Sequence, residues 1–296
     1  MYINDLTENV NYSKILLFAD DAKISRAVNN IEDASKLQED INSMVAWTEE
    51  SKLRFNPKKC KVLHLGRGNQ HYKYFMEIDG KRVILDEPGV ERDLGVKIDE
   101  ELTFVEHIGM IVKKANRVLG LIRRNFKFMD RKMFIQLYKT MVRPILKYAS
   151  PVWCPSKKKD MKLVEGIQRR ATKLLPELKE LDYPDRLRIL DLHTLEFRRI
   201  RTDLLQVYKI LTGMDKIEVD KIFKINSEGR TRGHKFKIEK QFSRLNLRKN
   251  YFSNRVVNLW NSLPEELVEA RNINIFKNGL EKHLGYLEVK YRPSFM

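Results

Sequence analysis

Asp20 and Asp21 are the residues of this 296-residue chain best placed to do chemistry. They follow the apolar run Ile15-Leu16-Leu17-Phe18-Ala19 and precede Ala22-Lys23-Ile24-Ser25. The first run reads as a short buried strand and the second as its return, which puts both carboxylates at the tip of a tight hairpin. On a strand, consecutive side chains point to opposite faces, but a turn lets neighbours converge. Paired carboxylates are hard oxygen ligands for Mg²⁺, and metal held this way serves phosphoryl transfer by activating a hydroxyl and stabilising a leaving pyrophosphate. An Asp-Asp pair is also an ordinary solvated turn, so its meaning depends on the rest of the chain.

The formal charge is +17 and unevenly spread. Residues 1–60 hold eight Lys/Arg against ten Asp/Glu, whereas residues 111–175 hold eighteen against three. An acidic head followed by a strongly basic body suits a polyanion held beside a metal site. A solubilising surface is the plainer reading, but positive charge this concentrated is more often a nucleic-acid footprint.

Length allows two or three modest domains, and a hydrophobic content of 42% supports a folded chain. Cys60 and Cys154 cannot supply a disulfide framework and point to a reducing compartment. Cys60 and His64 could face one way on a strand, but no second pair has zinc-ligand spacing, so structural zinc is not expected. The first residues lack the pattern of a signal peptide and no stretch has the length of a membrane span. The expectation is an intracellular protein of nucleus or cytoplasm with no membrane partner.

Elements must position these groups. Ala34, Leu37, Ile41, Met44 and Val45 recur at helical spacing, with Asn30 as N-cap. Strands are predicted over Lys61–Leu65, Tyr74–Ile78, Arg82–Leu85 and Asp93–Ile98, with Asp79-Gly80 as a hairpin turn. The first hundred residues therefore read as mixed α+β. Beyond Phe104 the pattern changes to long basic helices. Ile108 to Ile122 form one apolar stripe, with Lys113, Lys114, Arg117, Arg123 and Arg124 mostly off it. A second helix runs through Phe134 and Met141 until Pro144 kinks or stops it. Leu163, Ile167, Ala171 and Leu174 mark a third, with Arg169, Arg170 and Lys173 beside them, and Leu195–Leu211 a fourth. Residues 214–248 read as irregular, and Phe252 to Leu263 as a further amphipathic helix ending near Pro264. Trp153 and Trp260 read as core more readily than as base-stacking platforms. His107, His193 and His234 show no partner carboxylate or nucleophile in the sequence.

Several strings, taken in order, carry a resemblance: Tyr2-Ile3-Asn4-Asp5-Leu6, Phe18-Ala19-Asp20-Asp21, Leu53-Arg54-Phe55-Asn56-Pro57-Lys58-Lys59-Cys60 and Asp93-Leu94-Gly95-Val96. Farther on come Lys114-Ala115-Asn116, the stretch Val142-Arg143-Pro144 to Trp153, Gln168-Arg169-Arg170-Ala171, Thr231-Arg232-Gly233-His234, and Phe252 to Asn261. Together they resemble the C-terminal part of reverse transcriptases of LINE-type, non-LTR retrotransposons, particularly jockey-like elements, almost end to end. The resemblance implies a partial α+β palm over 1–100 and a basic helical thumb over 101–178. A mostly helical C-terminal region over 179–296 would follow, irregular near 214–248.

On this resemblance Asp20 and Asp21 hold Mg²⁺. Lys59 neutralises phosphate charge or protonates pyrophosphate, unless it is simply a solvated lysine. Leu94-Gly95 is similar to the primer grip, where Gly95 permits either a close backbone approach or a bulge. Lys113, Lys114, Arg117, Arg123, Arg124, Arg169 and Arg170 would contact phosphates, and the implied partners are an RNA template and DNA primer, or an RNA–DNA hybrid.

Members of that family carry a third metal-binding aspartate, a nucleotide pocket and fingers upstream of the hairpin, whereas here the hairpin starts near Ile15. The expectation is a chain without polymerase activity alone, with Mg²⁺ bound weakly or not at all, and with its first hundred residues the least stable. A non-catalytic basic nucleic-acid-binding protein derived from such an element is the alternative. An interaction protein whose charge is incidental ranks below both.

Overall fold

The computed structural model describes residues 3–226 and 233–295. Tyr2 and Thr231-Arg232, which belong to the motifs above, lie outside them. The chain is mixed α/β, with helices and short antiparallel strand pairs, and divides into two compact units, Met1–Thr103 and Phe104–Met296.

The first unit contains β1 (Lys14–Phe18), β2 (Asp21–Ser25), α1 (Ile31–Ser51), β3 (Phe75–Ile78), β4 (Lys81–Ile84), β5 (Val90–Asp93) and β6 (Val96–Asp99). The strands form three separate antiparallel hairpins, β1–β2, β3–β4 and β5–β6, each closed by a two-residue loop. Alternation along β1–β2 turns Ile15, Leu17, Ala22 and Ile24 inward, against Leu6 and against Met44 and Trp47 of α1. On its other side α1 packs Ala34, Ile41 and Val45 against Tyr74, Met76 and Leu85. Phe55 and Ile24 touch both clusters, so the first hairpin rests on α1 together with Leu6 and Phe55 from the segments on either side.

Polar groups set the start of that hairpin. Asn30 caps α1 by accepting the Asp33 N–H at 2.9 Å. Asp40, 1% exposed in mid-helix, accepts the backbone N–H of Asn11 at 2.8 Å and that of Tyr12 at 3.2 Å. A buried carboxylate thus holds the chain just before β1. Hydrogen bonds to a charged group are the stronger class, so Asp40→Ala is expected to destabilise the first unit by about 2 kcal/mol. Urea denaturation followed by far-UV circular dichroism measures it, and an unchanged midpoint would remove this role from Asp40.

Two strand expectations need correction. Lys61–Leu65 is not a strand. It makes one parallel bridge, Lys61 with Asp86, and then turns at Gly66 (φ 94°), whose N–H donates to Glu100 O, so no ladder develops along it. Asp93–Ile98 is not one strand but two halves of a hairpin, because Leu94 (φ 44°) and Gly95 (φ 87°) both adopt left-handed backbone and reverse the chain.

The second unit contains α2 (Val105–Asn125), α3 (Arg131–Leu137), α4 (Ser150–Trp153), α5 (Lys158–Thr172), α6 (Tyr183–Ile189) and α7 (Leu195–Leu211). Then come α8 (Asn246–Asn250), α9 (Phe252–Arg255), α10 (Val257–Asn261), α11 (Glu265–Val268) and α12 (Ile273–His283). α2 buries Ile108, Ile111, Ala115, Leu119 and Ile122, as its stripe predicts. Ahead of Pro144 the chain widens into a π turn over Tyr138–Val142, with Arg143 N–H donating to Tyr138 O at 2.9 Å, and then unwinds. The helix expected over Phe252–Leu263 divides at Val256 into α9 and α10.

α5 departs from its predicted stripe. Leu163 is 51% exposed, while Glu165 and Gln168 are fully buried beside Val164, Ile167 and Ala171. The reason is a polar network. Tyr138 Oη donates to Gln168 Oε1 at 2.6 Å, Gln168 Nε2 donates to Tyr183 Oη and His193 O, and Glu165 accepts from Tyr183 Oη and from Leu195 N–H at 2.9 Å. Burial raises the Glu165 carboxyl above its ordinary range. Through this network α5, α6 and the start of α7 form one body, so the helices on either side of residue 178 share a unit.

Trp153 and Trp260 are buried core residues whose indole N–H groups donate to Tyr148 O and Phe236 O. Trp260 packs with Phe197, Leu204, Tyr208 and Phe276. Among residues 214–248 the described part is largely irregular, with a bridge between Ile225 and Ile238. Asn261 clamps that bridge, accepting Ile238 N–H and donating to Ile238 O. Among the described residues no helix is long and apolar enough to cross a membrane.

Candidate functional site

The β1–β2 loop is Ala19-Asp20, with Phe18 paired to Asp21, so the two carboxylates occupy the last loop position and the first residue of the returning strand. Ala19 holds φ 53°, a left-handed backbone that ordinarily selects glycine in a hairpin loop. Asp20 and Asp21 are both exposed, and among the described residues neither carboxylate is hydrogen-bonded or ion-paired. Their oxygen donors suit a hard divalent cation that keeps several waters. Among the described residues no third Asp, Glu, His or Cys closes a ligand group around them.

The outward face of the same hairpin carries Leu16, 48% exposed, and Phe18, 63% exposed, beside Asp21 and Lys23. Lys23 forms an ion pair with Asp93, the last residue of β5. That contact joins the aspartate hairpin to the hairpin whose turn is Leu94-Gly95. Leu94 is strained as a non-glycine residue in left-handed backbone, and its apolar side chain is 44% exposed. Local rules broken at an exposed turn, at both Ala19 and Leu94, are the kind of departure found at functional sites. Leu94→Asn, which supplies the residue this turn favours, is expected to stabilise the first unit by about 1 kcal/mol. Differential scanning calorimetry reads the gain, and a lower melting temperature would show that Leu94 is held by packing rather than strained.

Lys59 is exposed in a turn organised by Asn56, which accepts the backbone N–H of Lys58 on its side chain and that of Lys59 on its carbonyl. Phe55 anchors this turn against Ile24 and the inward face of β1–β2. Among the described residues no hydrogen bond or ion pair links the Lys59 ammonium to Asp20 or Asp21.

The basic candidates lie in the second unit. Lys113, Lys114, Arg117, Arg123 and Arg124 are exposed on α2, and Arg169 and Arg170 are exposed at the end of α5. None of them is paired with a carboxylate among the described residues. Arg170 Nη2 donates to Asn116 Oδ1 at 3.1 Å, which brings the two helices' cations into one patch between Lys113 and Arg117. Arg169 stacks its guanidinium over Tyr183 at 5.4 Å from the ring centroid, fixing its direction. In the string Gln168-Arg169-Arg170-Ala171, therefore, Gln168 and Ala171 serve the core while the arginines face outward.

A second cationic group was missed in the sequence. Arg198 is partly buried, and its guanidinium is lowered to about 10 by burial and by Arg143 and Arg201. Lys147 is lowered by burial and then by Arg198, Arg201 and Arg143. Like charges crowd here, and the Glu281 carboxylate beside Arg201 offsets part of their repulsion. The signal lay in the close spacing of Arg143 to Lys147, within the turns that follow Val142, and of Arg198 to Arg201, three positions apart on α7. His193, expected to lack a carboxylate partner, lies 3.2 Å from Glu281, which also pairs with Arg201 at 2.9 Å.

The geometry defines a mixed α/β chain with an exposed aspartate pair on one unit and an unpaired basic patch on the other. Comparison with known proteins places a relative beside it. Over 191 residues the chain is 27% identical to the "Probable RNA-directed DNA polymerase from transposon BS" of Drosophila melanogaster, covering 60% of this chain and 20% of the fly protein. Over 124 residues it is also 27% identical to an uncharacterised protein of Caenorhabditis elegans, covering 41% of this chain and 63% of the worm protein. The chain thus spans about a fifth of the first relative and under two-thirds of the second. The similarity establishes a distant relationship to a transposon-encoded RNA-directed DNA polymerase. No family model matches the chain, and no solved structure matches it.

Proposed function

We propose that these 296 residues are the palm-to-C-terminal portion of a reverse transcriptase of a LINE-type, jockey-like retrotransposon, and that they bind a template–primer duplex. The observation that carries this reading is the ion pair joining the Asp20-Asp21 hairpin to the Leu94-Gly95 hairpin, which gathers both motifs of the resemblance into one folded unit. The distant fly relative supports the same assignment.

In this reading residues 1–100 are part of a palm, 101–178 a thumb and 179–296 the C-terminal region. Asp20 and Asp21 offer carboxylate oxygens to Mg²⁺. When bound, that ion supplies charge neutralisation at the reacting phosphate. Lys59 stands as the cation for phosphate or pyrophosphate, and Leu94-Gly95 presents a turn whose backbone supports the primer end. Lys113, Lys114, Arg117, Arg123, Arg124, Arg169 and Arg170 hold backbone phosphates of the RNA–DNA hybrid with little sequence preference, and the Arg143–Arg198 group adds a further phosphate position.

The alternative, a basic nucleic-acid-binding protein without catalysis, draws on the lack of a third ligand beside Asp20 and Asp21 among the described residues. Both readings predict that the purified chain binds RNA–DNA hybrid with an affinity that falls steeply as salt rises. A filter-binding titration across salt concentrations tests this, and hybrid binding that ignores salt, or none at all, overturns both. In the leading reading this polypeptide alone extends no primer, because a third carboxylate must join the pair.

A further inference from the structure

We propose that the first unit carries a Zn²⁺ site built from His64, His71 and Glu87. It is separate from the aspartate hairpin and does not depend on the function proposed above. The ligand atoms of the three side chains all lie within 4.8 Å of one another. His64 is 6% exposed, and its Nε2 is buried without a hydrogen-bond partner among the described residues, since Glu87 Oε2 stands 3.8 Å away. A buried ring nitrogen with nothing to bond is costly, and a metal ion between it and the carboxylate removes the cost. The His71 ring lies against that of His64, with centroids 4.5 Å apart.

The backbone prepares this arrangement. The bridge between Lys61 and Asp86, with Val62 N–H donating to Asp86 O at 2.9 Å, sets the segment before His64 beside the one before Glu87. From His64 the chain turns at Gly66, Asn69 N–H donates back to Gly66 O, and Asn69 Oδ1 accepts His71 N–H at 2.9 Å. His71 itself adopts φ 51°, a left-handed backbone that reverses the chain at this point and that histidine enters more readily than most residues. The loop therefore brings the second imidazole back onto the first.

Two imidazoles and one carboxylate form a three-ligand zinc set with an open fourth position, and zinc–ligand bonds of about 2.0–2.1 Å require donors about 3.3 Å apart. The ligand atoms must therefore draw in from their present spacing of up to 4.8 Å, and His71 and Glu87 are the more exposed members of the set. Imidazole donors disfavour Mg²⁺ and select a borderline metal such as Zn²⁺. The sequence pairing of Cys60 with His64 pointed elsewhere; the partners of His64 come from residues 71 and 87, seven and twenty-three positions on. Bound metal would clip the 64–71 loop to the connection that leads into β5, the strand before Leu94-Gly95.

Metal-free full-length chain titrated with Zn²⁺ against a chromophoric chelator should take up one equivalent, with a dissociation constant on the order of 1 µM or tighter. Co²⁺ in its place should give the visible absorption of a four-coordinate site. His71→Ala and Glu87→Gln, both outside the core, should keep the metal-free melting temperature. Each should weaken Zn²⁺ by at least the roughly 10–100-fold that loss of even an outer partner costs a histidine–zinc site. Asp20→Asn with Asp21→Asn should leave Zn²⁺ affinity unchanged, which separates this site from the proposed Mg²⁺ ligands. Zn²⁺ bound equally by the wild type and the His71→Ala, Glu87→Gln double variant would overturn the assignment, as would a wild type that binds none.

Discussion

Lys113→Glu, Arg117→Glu and Arg170→Glu together are expected to weaken binding of an RNA–DNA hybrid several hundred-fold at about 0.1 M salt. Each phosphate contact releases close to 0.9 counterion, worth roughly eightfold in affinity at that concentration, and three contacts multiply. The dependence of log affinity on log salt should also become shallower by about three. The three positions are chosen because Arg170 reaches Asn116 between Lys113 and Arg117, so they belong to one patch and not to three isolated surfaces. None contributes to the buried stripe of α2 or α5, so far-UV circular dichroism should not change. A smaller loss without a change of salt slope would place the hybrid on another surface, with the Arg143–Arg198 group the next to test.

Asp20→Asn or Asp21→Asn is expected to abolish primer extension, by more than about 1000-fold, in a longer polypeptide that supplies the third carboxylate ahead of these residues. Losing a metal ligand removes several kcal/mol of transition-state stabilisation, and each 1.4 kcal/mol is tenfold in rate. Hybrid affinity should stay within a few-fold, because the cations proposed to hold the duplex are elsewhere in the chain. Both carboxylates are exposed and without a hydrogen-bond or ion-pair partner among the described residues, so the amide variants should fold as well as the parent. Extension that survives either substitution would remove the metal-ligand role from that aspartate. Extension by residues 1–296 alone would show that two carboxylates suffice.

The one-dimensional pattern was sufficient wherever a signal is local. The β1–β2 hairpin, the Asn30 cap, the Asp79-Gly80 turn and the apolar stripe of α2 are set by neighbours within a few positions, and all four are present. Local readings failed where a distant partner decides. Lys61–Leu65 has the composition of a strand but makes a single backbone bridge, to Asp86, among the described residues, and α5 buries Glu165 and Gln168 in place of Leu163 because Tyr138, Tyr183 and Leu195 supply their bonds. A stripe rule counts apolar residues and cannot see a satisfied polar network.

The sequence by itself determined which residues carry charge and which could ligate metal: the Asp20-Asp21 pair, the basic run over 111–175 and the motifs that relate the chain to a transposon polymerase. Tertiary structure alone decided which of them meet. Asp93 reaches Lys23 across seventy positions, Arg170 reaches Asn116, and His64 faces His71 and Glu87 and not Cys60. The physical reason is range. Periodicity and turn chemistry act within a few residues, whereas an ion pair or a ligand set needs two or three chain segments folded to within a few ångströms, and packing of the segments around α1 and α5 supplies that proximity.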